Sequence, residues 1–180
     1  MEQSNANEKK HLGTFDQTSN KMIISDPSYD YEKNDDIFKL NVLIKNVLPG
    51  KWYSYVMIDN LTKRNAELIA INEKIKKNIE HNCYISWTRY PENVWVDSGR
   101  AGIFDVKHYN DRNIVTDTSN TKYLLSKKST AVLPHGVFSL SGYGDGDYNL
   151  FVSMSDDKVV AVKIVFIDEQ QREKYEALFS

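Results

Sequence analysis

From Leu12 onward, apolar and polar residues alternate mostly with a period of two, the repeat of a half-buried β-strand. Phe38, Leu40, Val42 and Ile44 alternate with Lys39, Asn41 and Lys45, and Leu43 on the polar side implies that this face is partly covered. Pro49-Gly50 is a turn signal. Residues 52–58, aromatic and β-branched on both faces, read as a strand buried on both sides. Together these two runs predict a hairpin closed at Pro49-Gly50. Residues 60–63 form the next turn candidate, and residues 66–71 read as a further strand, although their Ala, Glu and Leu also suit a helix. Residues 72–82 place Ile75 and Ile79 at helical spacing among lysines, which fits a short exposed helix or an extended loop.

Residues 84–88 and 94–97 read as short strands parted by Tyr90-Pro91, and the Asn- and Asp-rich residues 107–121 as a long surface loop. The last third is the most regular. Residues 136–140 form a strand, 142–146 a turn, and 148–154 a strand with Tyr148, Leu150, Val152 and Met154 on one face. Ser155-Asp156-Asp157-Lys158 reads as a hairpin turn, and residues 159–167 as a central strand covered on both faces. Asp168 and Gln171 have the spacing of a capping box for a final helix over 169–179, with Tyr175, Leu178 and Phe179 as its packing face. Short strands joined by tight turns predict a mainly β fold: an antiparallel β-sandwich or strongly bent sheet with a short C-terminal helix. Residues 1–10 carry almost nothing to bury and are expected to be a disordered tail, leaving residues 11–180 as one β-rich domain.

Composition narrows the chemistry. The chain has 180 residues, enough to bury a core without disulfides, and its single cysteine excludes a disulfide framework or a cysteine-built zinc site. A net charge of −2 argues against an electrostatic grip on nucleic acid or on an anionic membrane. No apolar run nears the roughly 20 residues that span a bilayer. The expectation is a cytoplasmic domain that binds neither nucleic acid nor membrane. His11, His81, His108 and His135 lie at no recognised metal spacing, and each reads as a surface or loop residue.

Three segments depart from strand-and-turn composition: residues 24–29, 96–105 and 141–148. Each sets acids and small hydroxyl residues beside glycine or proline at a strand end. Five of the eight glycines (Gly99, Gly102, Gly142, Gly144 and Gly146) fall in two of them. Glycine there permits positive φ and close approach of a ligand to the backbone. Asp145, Asp147 and Asn149 match the first positions of a calcium loop, but Leu150 stands where that loop needs glycine. The glycine run is followed by a strand, so no helix N-terminus awaits a phosphate.

These segments resemble a family of uncharacterised bacterial and phage domains of unknown function. Its members share I-x-D-P-x-Y, V-D-S-G-x-x-G-x-x-D and S-G-[YW]-G-D-G-x-Y motifs. Residues 48–55 and 160–167 also resemble the family, so the likeness runs from about residue 12 to residue 167. The resemblance implies a fold and a site but no reaction.

The candidate ligand-binding residues are Asp26, Asp97, Ser98, Gly99, Asp105, Asp145, Gly146 and Asp147, with Asp97, Asp145 and Asp147 as candidate ligands for Mg²⁺ or Ca²⁺. Each segment also has a plain turn reading, since Asp before Pro or Gly bonds its own backbone. The reading adopted is a small β-rich binding module whose acidic loops gather at one end and hold a small molecule, an ion or a protein partner. The alternatives are a metal-dependent hydrolase of a phosphoester or nucleotide, and an immunity or anti-defence interaction protein.

Overall fold

The computed structural model describes residues 7–29, 40–80, 84–109 and 129–179, with the backbone alone for 78–80, 175–176 and 179. Two antiparallel sheets face each other and do not close into a barrel. The larger contains β1 (Glu8–Gln17), β4 (Gly50–Ile58), β5 (Asn65–Asn72), β12 (Lys158–Val165), β11 (Gly146–Ser155) and β6 (Thr88–Arg89) in that order, with β7 (Val94–Val96) also paired to β11. The smaller has the order β3 (Val42–Lys45), β2 (Lys21–Ser25), β8 (Arg100–Asp105), β10 (Gly136–Leu140) and β9 (Thr130–Leu133).

The period-two pattern explains the core. Trp52, Val56, Leu68, Leu150, Val162 and Ile164 from one sheet meet Met22, Ile24, Ile44, Ile103 and Val137 from the other. Both outer faces carry smaller clusters. Tyr55, Ile69, Ile71 and Ala161 cover the larger sheet, with Ile75 of helix α1 (Glu73–Glu80) against them. Ile23, Phe104 and Phe138 cover the smaller, with Tyr109 of the short helix α2 (Val106–Tyr109). This accounts for the runs that are apolar on both faces, and for Leu43, which packs on that second cluster.

The predicted hairpin at Pro49-Gly50 does not form. β3 pairs with β2 in the smaller sheet, while β4 pairs with β1 and β5 in the larger. Asn46 takes a left-handed φ of 58°, and the chain crosses between sheets. Val159 holds the crossing: its N–H donates to Asn46 O, and its carbonyl accepts from the Leu48 N–H. Residues 84–87 are not strand, and residues 106–109 are helical with Tyr109 buried; the rest of the expected 107–121 loop lies outside the described residues. Residues 8–10 belong to β1 rather than to the expected tail, and residues 1–6 lie outside the description.

Other expectations hold. Asp156 and Asp157 both take positive φ in the β11–β12 turn, the twist that a two-residue hairpin favours. Helix α3 (Glu169–Phe179) starts with the expected capping box: Gln171 N–H donates to Asp168 Oδ1 at 2.8 Å, and Asp168 N–H donates to Gln171 Oε1 at 3.0 Å. Leu178 does not pack as expected. Leu178 is 78% exposed, the Tyr175 and Phe179 side chains are outside the description, and Arg172 ties the helix to buried Asp59 at 2.8 Å. No helix among the described residues is long and apolar enough to cross a membrane.

Candidate functional site

Strand β8 orders the candidate residues. Antiparallel pairing sets Ser25 beside Gly102 and Leu140 beside Arg100, so the Asp26 turn, the 97–99 loop and the 141–145 loop share the Arg100 end. The same pairing sets Met22 beside Asp105 and Gly136 beside Phe104, so residues 18–21 and His135 share the other end.

At the Arg100 end, Asp26 is fully buried and its carboxylate joins two loops. Oδ1 accepts from the Ser28 N–H at 2.8 Å and the Ser98 hydroxyl at 2.7 Å. Oδ2 accepts from the N–H groups of Asp97 at 2.9 Å and Ser98 at 2.7 Å. Burial alone would raise this carboxyl; the hydrogen bonds from Ser98, Ser28 and Asp97 outweigh it and hold Asp26 below its ordinary value. The Tyr29 hydroxyl donates to Asp97 Oδ2 at 2.5 Å, and the Tyr109 hydroxyl donates to Tyr29 O at 2.7 Å.

The third segment closes over the second. Gly99 N–H donates to Asp145 Oδ1 at 2.9 Å, and Ser141 N–H donates to Gly99 O at 3.1 Å. Gly99 and Gly144 sit at φ of 67° and 108°, where L side chains are strained, and a Cβ on Gly99 would lie 3.8 Å from the Gly144 Cα. Beneath them the buried Tyr148 hydroxyl lies 2.8 Å from Ser141 O and 2.6 Å from Gly144 O, its one proton shared between the two carbonyls. The Ser141 hydroxyl also donates to Gly144 O at 2.6 Å.

The outcome is three carboxylates at one end of β8. Asp97 and Asp145 are exposed, and Asp26 lies beneath them. Tyr29 registers all three: burial, the hydrogen bond to Asp97, and the charges of Asp97, Asp26 and Asp145 push its phenol well above the ordinary range, so it stays protonated and acts as a donor.

Two expectations are corrected here. Asp105 stands at the opposite end of β8, so the five acids do not gather. It is buried and accepts from the Thr18 N–H at 2.6 Å, the Thr18 hydroxyl at 2.7 Å, the Ser19 N–H at 3.2 Å, the Ser19 hydroxyl, and the Lys107 N–H at 3.1 Å. Those bonds, Ser19 and Thr18 foremost, outweigh the burial that would raise it and hold Asp105 below its ordinary value. Nor do Asp97, Asp145 and Asp147 meet as metal ligands. Asp147 lies on β11 opposite Trp95, exposed, and accepts from the Asn93 side-chain amide at 2.9 Å. Gly146 begins that strand opposite Val96, at a φ of 159°.

The structure instead joins residues that spacing alone kept apart. Asp105, His108 and His135 each offer a ligand atom within 4.8 Å of the other two, the one such group among the described residues. The imidazoles of His108 and His135 stack with centroids 3.7 Å apart and planes at 12°. Their separation by 27 positions hides them from motif reading. The available signal was that Asp105 and His108 lie three apart, a spacing that meets on one helical turn.

No family model, curated protein or solved structure matches the chain.

Proposed function

We propose that the chain is a small β-rich binding module whose ligand sets a cationic group, an ammonium or guanidinium, against Asp97 and Asp145. The observation that carries this reading is the hydrogen-bonded tie between all three unusual segments, through Asp26, Tyr29 and Asp145. Two exposed carboxylates rest there on loops already ordered from below. A ligand meeting them orders little further, and preordered groups bind at lower entropic cost. The protonated Tyr29 hydroxyl, itself a donor, keeps Asp97 turned toward the cluster. A protein partner would present the same chemistry as a lysine or arginine side chain, so the interaction-protein alternative shares this site.

Titration with spermidine and with an arginine-containing peptide, followed by amide chemical shifts, tests the reading. Saturable shifts at Gly99, Gly144 and Asp145 are expected. They should weaken several-fold in Asp97→Asn and Asp145→Asn, and weaken with added salt, because exposed charges are screened. Absence of saturable shifts with both probes overturns it.

A further inference from the structure

The structure assigns a second ligand site to the open edge of the sandwich, between β1 and β9: a cavity for a small amphipathic anion, an aliphatic chain that ends in a carboxylate. β1 and β9 are the outermost strands of their sheets and meet where a Cβ on Gly13 would lie 3.3 Å from Val132 Cγ2. Beside that contact, on the Lys10 side, lies a cavity of about 640 Å³. Small-molecule sites run to roughly 300–1,000 Å³. Leu12, Val56 and Ile58 of the larger sheet line one side, and Thr130 and Val132 of β9 the other. Leu12, Ile58 and Val132 pack on the main core yet stay half-buried, so apolar surface is left open to a ligand. Asn65 Nδ2 donates to Leu140 O at 3.2 Å and bridges the two sheets at the cavity wall.

The charge at this cavity is one-sided. Lys10 is paired with Val56, and partners opposite each other in a sheet share a face, so the lysine leaves β1 on the cavity side. Its neighbours turn the other way: Lys9 Nζ lies 4.4 Å over the Tyr55 ring, and the His11 ring lies 5.1 Å from the same ring. No acid lines the cavity, and Glu8, two positions before Lys10, is not part of its wall. Lys10 makes no ion pair or hydrogen bond among the described residues. A single unmatched ammonium beside apolar walls is complementary to one negative charge on a hydrocarbon chain. It fits a monoanionic carboxylate better than a doubly charged phosphate ester.

Calorimetric titration of the full chain with hexanoate, octanoate and decanoate tests the site. One ligand per chain is expected, with affinity rising about threefold to fourfold for each added methylene that the walls cover. Amide shifts should centre on Leu12, Ile58 and Val132. Lys10→Gln should weaken octanoate binding by roughly threefold to fivefold and leave 1-octanol binding unchanged, because only the carboxylate uses the ammonium. Lys9→Gln, on the opposite face, should change neither. Thr130→Trp fills the cavity from an edge strand and should abolish binding of both probes while the far-ultraviolet circular dichroism is kept. The proposal is overturned by absence of saturable decanoate binding, by affinity that does not change with chain length, or by Lys10→Gln and Lys9→Gln behaving alike. The probes are anionic and the residues distinct from Asp97 and Asp145, so failure here is separable from failure of the cationic titration.

Discussion

Asp26 accepts the Ser98 hydroxyl at 2.7 Å across 72 positions of sequence, and with the Ser98 and Asp97 N–H groups it fastens the end of β2 to the start of β8. Asp26→Asn keeps the size of the side chain but sets an amide against donors that need an acceptor. Loss of charge-assisted bonds and a partly unpaired N–H should destabilise the fold by about 2 kcal/mol or more. The urea midpoint, at unchanged slope, measures this.

Acid should undo the same contacts. Asp26, Asp59 and Asp105 are all held below the ordinary carboxyl value: burial opposes this in each, and hydrogen bonds outweigh it, helped at Asp59 by Arg172. A depressed folded value means that the unfolded chain takes up protons first. The stabilisation is therefore complete above the unfolded value near 3.8 and is lost as pH falls through the lower native values. The melting temperature should fall steeply below about pH 4, and Asp59→Asn should flatten that fall while lowering stability at pH 7.

Gly102 and Gly144 should respond differently to alanine. A Cβ on Gly102 would lie 2.3 Å from the Phe104 ring and 2.8 Å from Val137 O, where a buried ring and a strand backbone have little room to yield. Gly102→Ala should cost roughly 1–3 kcal/mol by overpacking, or more if β8 shifts. A Cβ on Gly144 meets nothing within 4 Å, and only its φ of 108° resists. Gly144→Ala should cost about 1–3 kcal/mol from backbone strain alone. Amide shifts separate the two: changes over β8 and β10 in the first, and changes confined to residues 141–146 in the second.

Tyr148→Phe should keep its ring edge-on to Phe166, whose centroid is 5.2 Å away, while releasing the carbonyls of Ser141 and Gly144. A loss of about 1 kcal/mol is expected. Amide exchange should quicken over residues 141–146, and binding of cationic probes at Asp145 should weaken with it. Unchanged exchange there would show that the hydroxyl does not order the loop.

Much of the fold was legible because β-strands write their burial into alternate residues. β11 and β12 could be read with their turn, and Asp168 with Gln171 announced the last helix. The Pro49-Gly50 hairpin was misread because a turn signal reports a change of direction, not the sheet that the chain enters next. Asn46 and the Val159 hydrogen bonds decide that, and they depend on tertiary contact. Glycines beside acids marked loops that Asp26 and Asp145 join by hydrogen bonds. They did not locate Asp105, whose motif runs the length of β8 and so places its first and last acids at opposite ends. The stacking of His108 on His135 depends on sheet register, which no local pattern encodes.

Five steps of strand separate Arg100 from Asp105, about 16 Å at roughly 3.3 Å per residue. Groups so distant and without shared partners contribute independently. Loss of the Asp26 contacts at one end of β8 should therefore leave the Asp105 contacts at the other intact, and the two losses of stability should add.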